Sequence, residues 1–397
     1  MTTIPYARQD IDENDIAAVV GALRSDWLTQ GPAVERFETA AAAYCLAGHA
    51  VAMATATAAL HLACRAVGLG PGDTLWTSPN TFVASANAAL YCGAEVDFVD
   101  IDPSTYNMSV DVLASRLAQA EQEGRLPAVV MPVHFAGQPC DMAAIAALAQ
   151  RYGFRVIEDA SHAIGACYAD GAMVGSGVYS DICVFSFHPV KIITTGEGGM
   201  AVTNDPELAA KLRLLRTHGI TRDPALMRHV PDGGWYYEQI DLGFNYRITD
   251  LQAALGNSQL SRIEGFLARR DSLAAKYASR LGGLGIGLPT VAFGARSAWH
   301  LYVIQVDEAV SGVTRRVVYD RLRAGGIQCN VHYIPVHRQP YYEAMGFRQG
   351  QFPNAERYYA RALSLPLFTS LSESDHDRIC DRLGEILGAE PARSGTA

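Results

Sequence analysis

DICVFSFHPVKIITTGEGGMAVTND, residues 181–205, sets an apolar, β-branched run on either side of a single lysine. Ile182 to Phe187 reads as a strand, Ile192 to Thr195 is apolar and β-branched again, and glycines follow at 196, 198 and 199. A solvated cation needs no such company. Only three of the 32 basic residues are lysines (Lys191, Lys211 and Lys276), so arginine is this chain's ordinary cation and Lys191 marks a place where an amine is wanted. An amine with an ordinary pKa of about 10.4 must lose a proton before it can condense with an aldehyde, and apolar neighbours push it that way. The competing reading is a structural lysine whose stem covers apolar surface.

Upstream of that stretch, from about residue 10 to 250, short β-branched runs alternate with longer helical ones, the pattern of parallel strands joined by crossover helices. DTLWTS, AEVDFVD, LPAVVMPVHF, FRVIEDA and DICVFSF read as strands, and Thr57 to Val67 and FVASANAALYCG read as helices. In open α/β sheets ligands bind beyond the carboxyl ends of the strands, which is where Asp159, Ser161, His162, Ser186 and His188 fall. Downstream of NYRITDLQAALGNSQL an amphipathic stretch runs to about Arg280, and LGGLGIGLP breaks the chain into a second, α+β unit. There WHLYVIQV and IQCNVHYIP read as strands flanking the helix TRRVVYDRLRAGG, with two helical stretches after them. The expected organisation is an N-terminal arm (1–13), a large α/β domain (14–250), a small α+β domain (251–388) and a flexible tail (389–397). No internal repeat or low-complexity segment interrupts it.

Composition bounds the function. A net charge of −9 lacks the basic footprint of a nucleic-acid binder. The eight cysteines form no C-x-x-C pair, so neither a disulfide framework nor a zinc site is expected, and His332 and His337 have no carboxylate at metal-ligand spacing. The N-terminus lacks a basic, then apolar leader, and no run of about 18 apolar residues occurs, so a cytoplasmic protein without a membrane span is expected.

Three features accompany Lys191. Asp159 ends the apolar strand of VIEDASHA, where a carboxylate can hold a pyridine nitrogen protonated or, more plainly, cap a helix. ATATAALHLA sets small and hydroxylated residues before a helix, offering N–H groups and the dipole end to an anion such as phosphate, with N-capping by Thr55 or Thr57 as the plain alternative. Ser186, at a strand end, can donate to the same anion. The glycines of GEGG are read as allowing close backbone approach or a strained turn. His188 is read as shaping the loop before Lys191.

Taken in chain order, DWLTQGP, ATATAALHLA, TSPNTFVASANAAL, DIDPSTYNM, VIEDASHAIGA, FSFHPVKIITTGEGGM, LGFNYRITDLQAALG and NVHYIPVHRQPYY resemble the DegT/DnrJ/EryC1/StrS sugar aminotransferases. The resemblance covers nearly the whole chain. It implies an aspartate-aminotransferase-like, fold type I large domain with a mostly parallel sheet, a pyridoxal 5'-phosphate cofactor that alternates with its pyridoxamine form, and a homodimer with shared active sites. PYARQ, WLTQG and VHYIPVHRQPYY narrow the likeness to transaminases of pseudaminic acid synthesis. Those move the amino group of L-glutamate to C4 of a UDP-linked 4-keto-6-deoxy-HexNAc, giving UDP-4-amino-4,6-dideoxy-N-acetyl-beta-L-altrosamine. Residue by residue, the resemblance implies Lys191 as the cofactor-bonding lysine and proton-transfer base, and Asp159 as the partner of the pyridine nitrogen. Phe82 would cover one ring face and His162 lie beside the ring. Thr57, the Ala58 amide and Ser186 would hold the phosphate, reached by Asn245 from the other subunit. Tyr6, Asp26, Trp27, Leu28, Thr29, Ala56, Val331, His332, Tyr333 and Ile334 would line the sugar-nucleotide pocket. The residues leave open C3 or C4 amination, a uridine, thymidine or guanosine nucleotide, and a non-catalytic regulator on the same scaffold, which the intact Lys191 and Asp159 disfavour.

Overall fold

The computed structural model describes residues 3–388, and the expected tail at 389–397 lies outside them. Seven strands form the central sheet: β1 (His49–Met53), β2 (Thr74–Thr77), β3 (Glu95–Phe98), β4 (Val129–Met131), β5 (Arg155–Asp159), β6 (Ile182–Ser186) and β7 (Gly199–Thr203). Their order is β1-β7-β6-β5-β4-β2-β3, parallel from β3 to β6, with β7 antiparallel to both of its neighbours. Strands β6 and β7 are buried throughout, as expected of strands covered on both faces, and the register sets Asp159 beside Val184. HAVAM and GMAVT are not among the strands expected from the sequence. They are rich in alanine, methionine and glycine, and it is pairing rather than propensity that holds them in the sheet.

Helices α1 (Glu13–Leu23), α2 (Pro32–Cys45), α3 (Ala56–Ala66), α4 (Val83–Tyr91), α5 (Val110–Glu123), α6 (Met142–Tyr152) and α7 (Pro206–Arg216) surround the sheet, and a short pair, β8 (Ile220–Thr221) and β9 (Glu238–Gln239), follows. Helix α8 (Asp250–Ser261) is sewn to α2 by its first residue, whose carboxylate accepts from Gly31 N at 2.7 Å and Ala33 N at 3.0 Å. Two apolar cores lie about the sheet and a third fills the C-terminal unit. Helix α9 (Ile263–Leu281) connects them, with Ile263, Phe266 and Leu267 in one core and Leu273, Ala274, Tyr277 and Leu281 in the last.

The C-terminal unit corrects one expectation. Its strand β10 (Tyr302–Gln305) pairs antiparallel with β11 (Ala362–Leu365), while IQCNVHYIP forms only isolated bridges, Ile4–Ile327 and Asn330–Ser364. Strand β11 is a four-residue ALSL directly after a helix, so leucine and alanine there read as more helix, whereas 327–335 owes its apolar character to the third core and the pocket wall. Helices α10 (Glu308–Ser311), α11 (Arg315–Ala324), α12 (Pro340–Ala344), α13 (Pro353–Arg361) and α14 (Glu373–Ile386) complete the unit. The N-terminal stretch joins it as well. Ile4 N donates to Gly326 O, Gln328 N to Ile4 O and Leu367 N to Tyr6 O, and the Ile4 side chain is buried in the third core. No helix among the described residues is long and apolar enough to cross a membrane.

Candidate active site

At the carboxyl ends of β5 and β6 the sheet opens into a cavity of about 550 Å³. The loop from β6 to β7 brings Lys191 into it, shaped by a hydrogen bond from Lys191 N to His188 O at 2.9 Å. Burial pushes the Lys191 ammonium down from 10.5 to about 8, against the upward pull of the Asp159 carboxylate. Asp159 is itself buried and held on both oxygens. Ser85 Oγ donates to Oδ2 at 2.6 Å and Ser161 N to Oδ1 at 3.1 Å, while Thr81 Oγ1 stands 2.7 Å from Ser85 Oγ. Because the Ser85 proton goes to the carboxylate, Thr81 is the donor in that pair, and the chain of hydroxyls fixes the direction in which Asp159 points.

The first turn of α3 closes the opposite side. Thr55 caps it, accepting from Ala58 N at 3.0 Å, and Ala56 and Thr57 line the cavity. A Cβ on Gly199 would stand 2.5 Å from Ala56 N, so only glycine lets β7 pass beneath this turn, which is the close approach read from GEGG. Imidazoles and a phenol form a third wall. His162 Nδ1 accepts from Ala136 N at 3.2 Å and its Nε2 lies 3.2 Å from Tyr333 Oη; His332 Nδ1 lies 2.8 Å from Ser364 Oγ. Burial, then the nearby Lys191 charge, holds His162 well below its ordinary range and His332 down at about 4, so both are neutral near pH 7.

Of the residues expected at the site, Lys191, Asp159, Thr57, Phe82, His162, Ser186, Tyr6, Ala56, Val331, His332 and Tyr333 line this one cavity. Ala58 is in the same turn, but its N–H is already given to Thr55. Asp26, Trp27, Leu28 and Thr29 are exposed outside it, as are Asn245 and Ile334. The structure adds Ser85, which holds Asp159, and His300, which lines the cavity, to the residues expected from the sequence. A polar residue on the small-residue face of FVASANAAL is a usable signal for Ser85, whereas nothing in AWHLYVIQV distinguishes His300 from a strand-edge histidine.

Comparison with known proteins agrees with this geometry. Residues 9–384 match the DegT/DnrJ/EryC1/StrS aminotransferase family. The spore coat polysaccharide biosynthesis protein SpsC of Bacillus subtilis (strain 168) is 44% identical over 387 residues, 97% of each chain. Spr1654 of Streptococcus pneumoniae, a protein assigned as a sugar aminotransferase and solved in PMP and PLP forms, superposes in its PMP form with a TM-score of 0.87 at 30% identity, covering 97% of this chain and 99% of that one. Helicobacter pylori PseC, an aminotransferase involved in the biosynthesis of pseudoaminic acid, superposes with a TM-score of 0.88 at 27% identity over 98% of this chain and 100% of its own.

The residues present fit pyridoxal phosphate. An amine brought close to neutrality, a buried carboxylate aimed by two donors, and hydroxyls beside a helix N-terminus face one cavity, which is the donor set that an aldehyde, a pyridine nitrogen and a phosphate require. With its family match running from residue 9 to residue 384, the chain belongs to the DegT/DnrJ/EryC1/StrS aminotransferases, a pyridoxal-phosphate-dependent family of sugar aminotransferases.

Proposed function

We propose that this protein is a cytoplasmic transaminase that moves the amino group of L-glutamate to the C4 keto group of a UDP-linked 4-keto-6-deoxy-HexNAc. The observation that carries the reading is the convergence of Lys191, with its depressed pKa, and the doubly held Asp159 in one cavity of a sugar-aminotransferase fold. The narrower sugar rests on the VHYIPVHRQPYY likeness and on the structural similarity to PseC.

Pyridoxal phosphate supplies, when bound, an aldehyde that carries the amino group and a ring that withdraws electrons. Lys191 Nζ is the base that takes a proton from one carbon and returns it to another, a task suited to an amine whose pKa lies near the working pH. Ser85 and Ser161 donate to the two oxygens of the Asp159 carboxylate and fix its aim, and that carboxylate is assigned to the pyridine nitrogen. Thr57 and Ser186 are assigned to the phosphate, Phe82 to one face of the ring and His162 to a place beside it. Asn245, exposed and outside its own chain's cavity, is assigned to the neighbouring subunit's site in a homodimer, and Asp26–Thr29 are assigned to the sugar-nucleotide pocket.

The test has two stages. L-glutamate added alone to the holoprotein is expected to discharge its visible absorbance, and a panel of nucleotide-linked ketosugars is then expected to restore it, fastest with the UDP-linked 4-keto compound. No response to glutamate refutes the transaminase, while equal or faster restoration by a thymidine- or guanosine-linked sugar or a 3-keto sugar refutes the narrower substrate.

A further inference from the structure

The proposed reaction, on which this inference rests, asks one cavity to seat two unlike partners in turn, an amino dicarboxylate and a nucleotide-linked sugar. Carboxylates are commonly gripped by arginine forks, and this chain is rich in arginine. Yet among the described residues that line the cavity there is no arginine, and Lys191 is the one lysine. Within one chain, then, the oxygens of both partners fall to donors other than a guanidinium.

His300 lines the cavity, is 4% exposed, and has a buried Nδ1 with no hydrogen-bond partner. Its position is imposed by the backbone. Ala298 N donates to Gly137 O at 3.0 Å and Leu301 N to Ala136 O at 3.2 Å, while the Arg270 guanidinium, buried in α9, donates to the Trp299 carbonyl at 3.1 Å. Trp299 adopts a left-handed φ of 47°, and a Cβ on Gly137 would stand 3.0 Å from His300 N, so the segment is locked against the turn that carries Ala136. The ring thus held lies 4.4 Å, centroid to centroid, from that of His162.

The protons on these rings follow from their partners. A proton on the buried Nδ1 of His300 would be a donor with no acceptor, a costlier fault than an unfilled acceptor, so the proton belongs on Nε2, the nitrogen through which the ring meets the cavity. His162 is fixed in the same tautomer, because its Nδ1 accepts from Ala136 N, and its Nε2–H therefore donates to Tyr333 Oη. Tyr333, accepting there, has its own O–H left to give. Burial and the Lys191 charge keep both imidazoles neutral, and burial raises the Tyr333 phenol so that it keeps its proton.

We infer that His300 Nε2–H and Tyr333 Oη–H are a pair of neutral donors that grip an oxygen of whichever partner is seated, a carboxylate oxygen of the amino donor or a hydroxyl or carbonyl oxygen of the sugar. Neutral donors serve both. A guanidinium would favour the carboxylate and be left as an unpaired buried charge against the sugar.

Two measurements test this. Nitrogen-15 spectra of holoprotein labelled in its histidine rings, with His300 assigned from the signal lost in His300→Gln, are expected to find His300 and His162 both protonated on Nε2; protonation of either on Nδ1 overturns the inference, whatever the enzyme's activity. In separate half-reactions, His300→Phe is expected to raise the half-saturating concentrations of L-glutamate and of the sugar nucleotide together, each about tenfold, with His300→Gln, which keeps an N–H near the position of Nε2, recovering most of the loss. Tyr333→Phe, which removes only a hydroxyl, is expected to give the same paired rise, and cofactor absorbance reports that each variant is folded and loaded. A rise for one substrate alone, or for neither, overturns the pair. Wild-type protein that ignores glutamate refutes the transaminase reading instead, and the ring spectra still decide the tautomers.

Discussion

Competitive acetylation of the cofactor-free protein measures the property on which the site depends, the proton affinity of Lys191. With a pKa of about 8 in place of the ordinary 10.5, roughly a quarter of the amine is neutral at pH 7.5 rather than about 0.1%, a difference of about 200-fold in the reactive form. Trace labelling with acetic anhydride across pH 6 to 12, read by mass spectrometry of the digest, should place the Lys191 midpoint near 8. Lys276 is the internal control. Its ammonium lies 2.7 Å from Glu373 and 2.9 Å from Asp377, which raise its pKa, so its midpoint should lie above that of a free lysine. Removing the opposing carboxylate with Asp159→Asn takes away the one upward pull on Lys191 and should move its midpoint further down. The same displacement has a stability consequence. Below pH 8 the folded chain keeps a proton it binds more weakly than the unfolded chain does, so Lys191→Met should stabilise the cofactor-free protein at pH 7 by up to about 3 kcal/mol, fading as pH rises from 8 and vanishing above 10.5. A Lys191 midpoint at or above 10, or an upward move in Asp159→Asn, refutes the desolvation argument.

Ser85→Ala, which frees Asp159 Oδ2 from its 2.6 Å partner, should weaken cofactor binding by about tenfold in a fluorescence titration, or about 1.4 kcal/mol for a charge-assisted bond. Gly199→Ala sets a Cβ 2.5 Å from backbone atoms that cannot yield, and thermal unfolding should register a loss of about 3 kcal/mol or more. His134→Ala strips the buried Glu158 carboxylate of its 2.6 Å partner and should cost about 3–5 kcal/mol by urea unfolding, since an uncompensated charge remains. Co-expressing Lys191→Ala with Asn245→Ala should restore activity in verified heterodimers, because a shared site concentrates both defects in one pocket and leaves the other intact; no recovery, with Asn245→Ala alone impaired, refutes sharing.

Those parts of the site that end strands or ride the loop behind one were legible from sequence, because an apolar run that stops at a polar residue announces both the strand and its carboxyl end. Asp159, Ser186 and Lys191 are of this kind. Residues delivered by tertiary contact were not. Ser85 matters because α4 brings it under Asp159, 74 positions away in the chain, and no local pattern encodes that meeting. His300 looks like an ordinary strand-edge residue until the Gly137 turn and Arg270 fix its backbone. The stretch 327–335 reads as a strand because burial in a pocket wall and burial in a sheet leave the same apolar trace, and β11 gives no signal of its own because four residues of ALSL are too few to break the helical pattern before them.

The bridge between Ile4 and Ile327 bears on vectorial synthesis. Ile4 leaves the ribosome roughly 320 residues ahead of Gly326, its hydrogen-bond partner, so at about 5–20 residues per second it waits for some 15–65 s with no core to enter. Through that interval the sheet and the core that takes in α2 can form without it, while Tyr6 is not yet seated in the pocket. A nascent chain arrested short of residue 327 would therefore carry Lys191 and Asp159 on a completed sheet beside an open-sided cavity, and a fusion that stiffened residues 3–8 would delay the closing of that wall rather than the folding of the sheet.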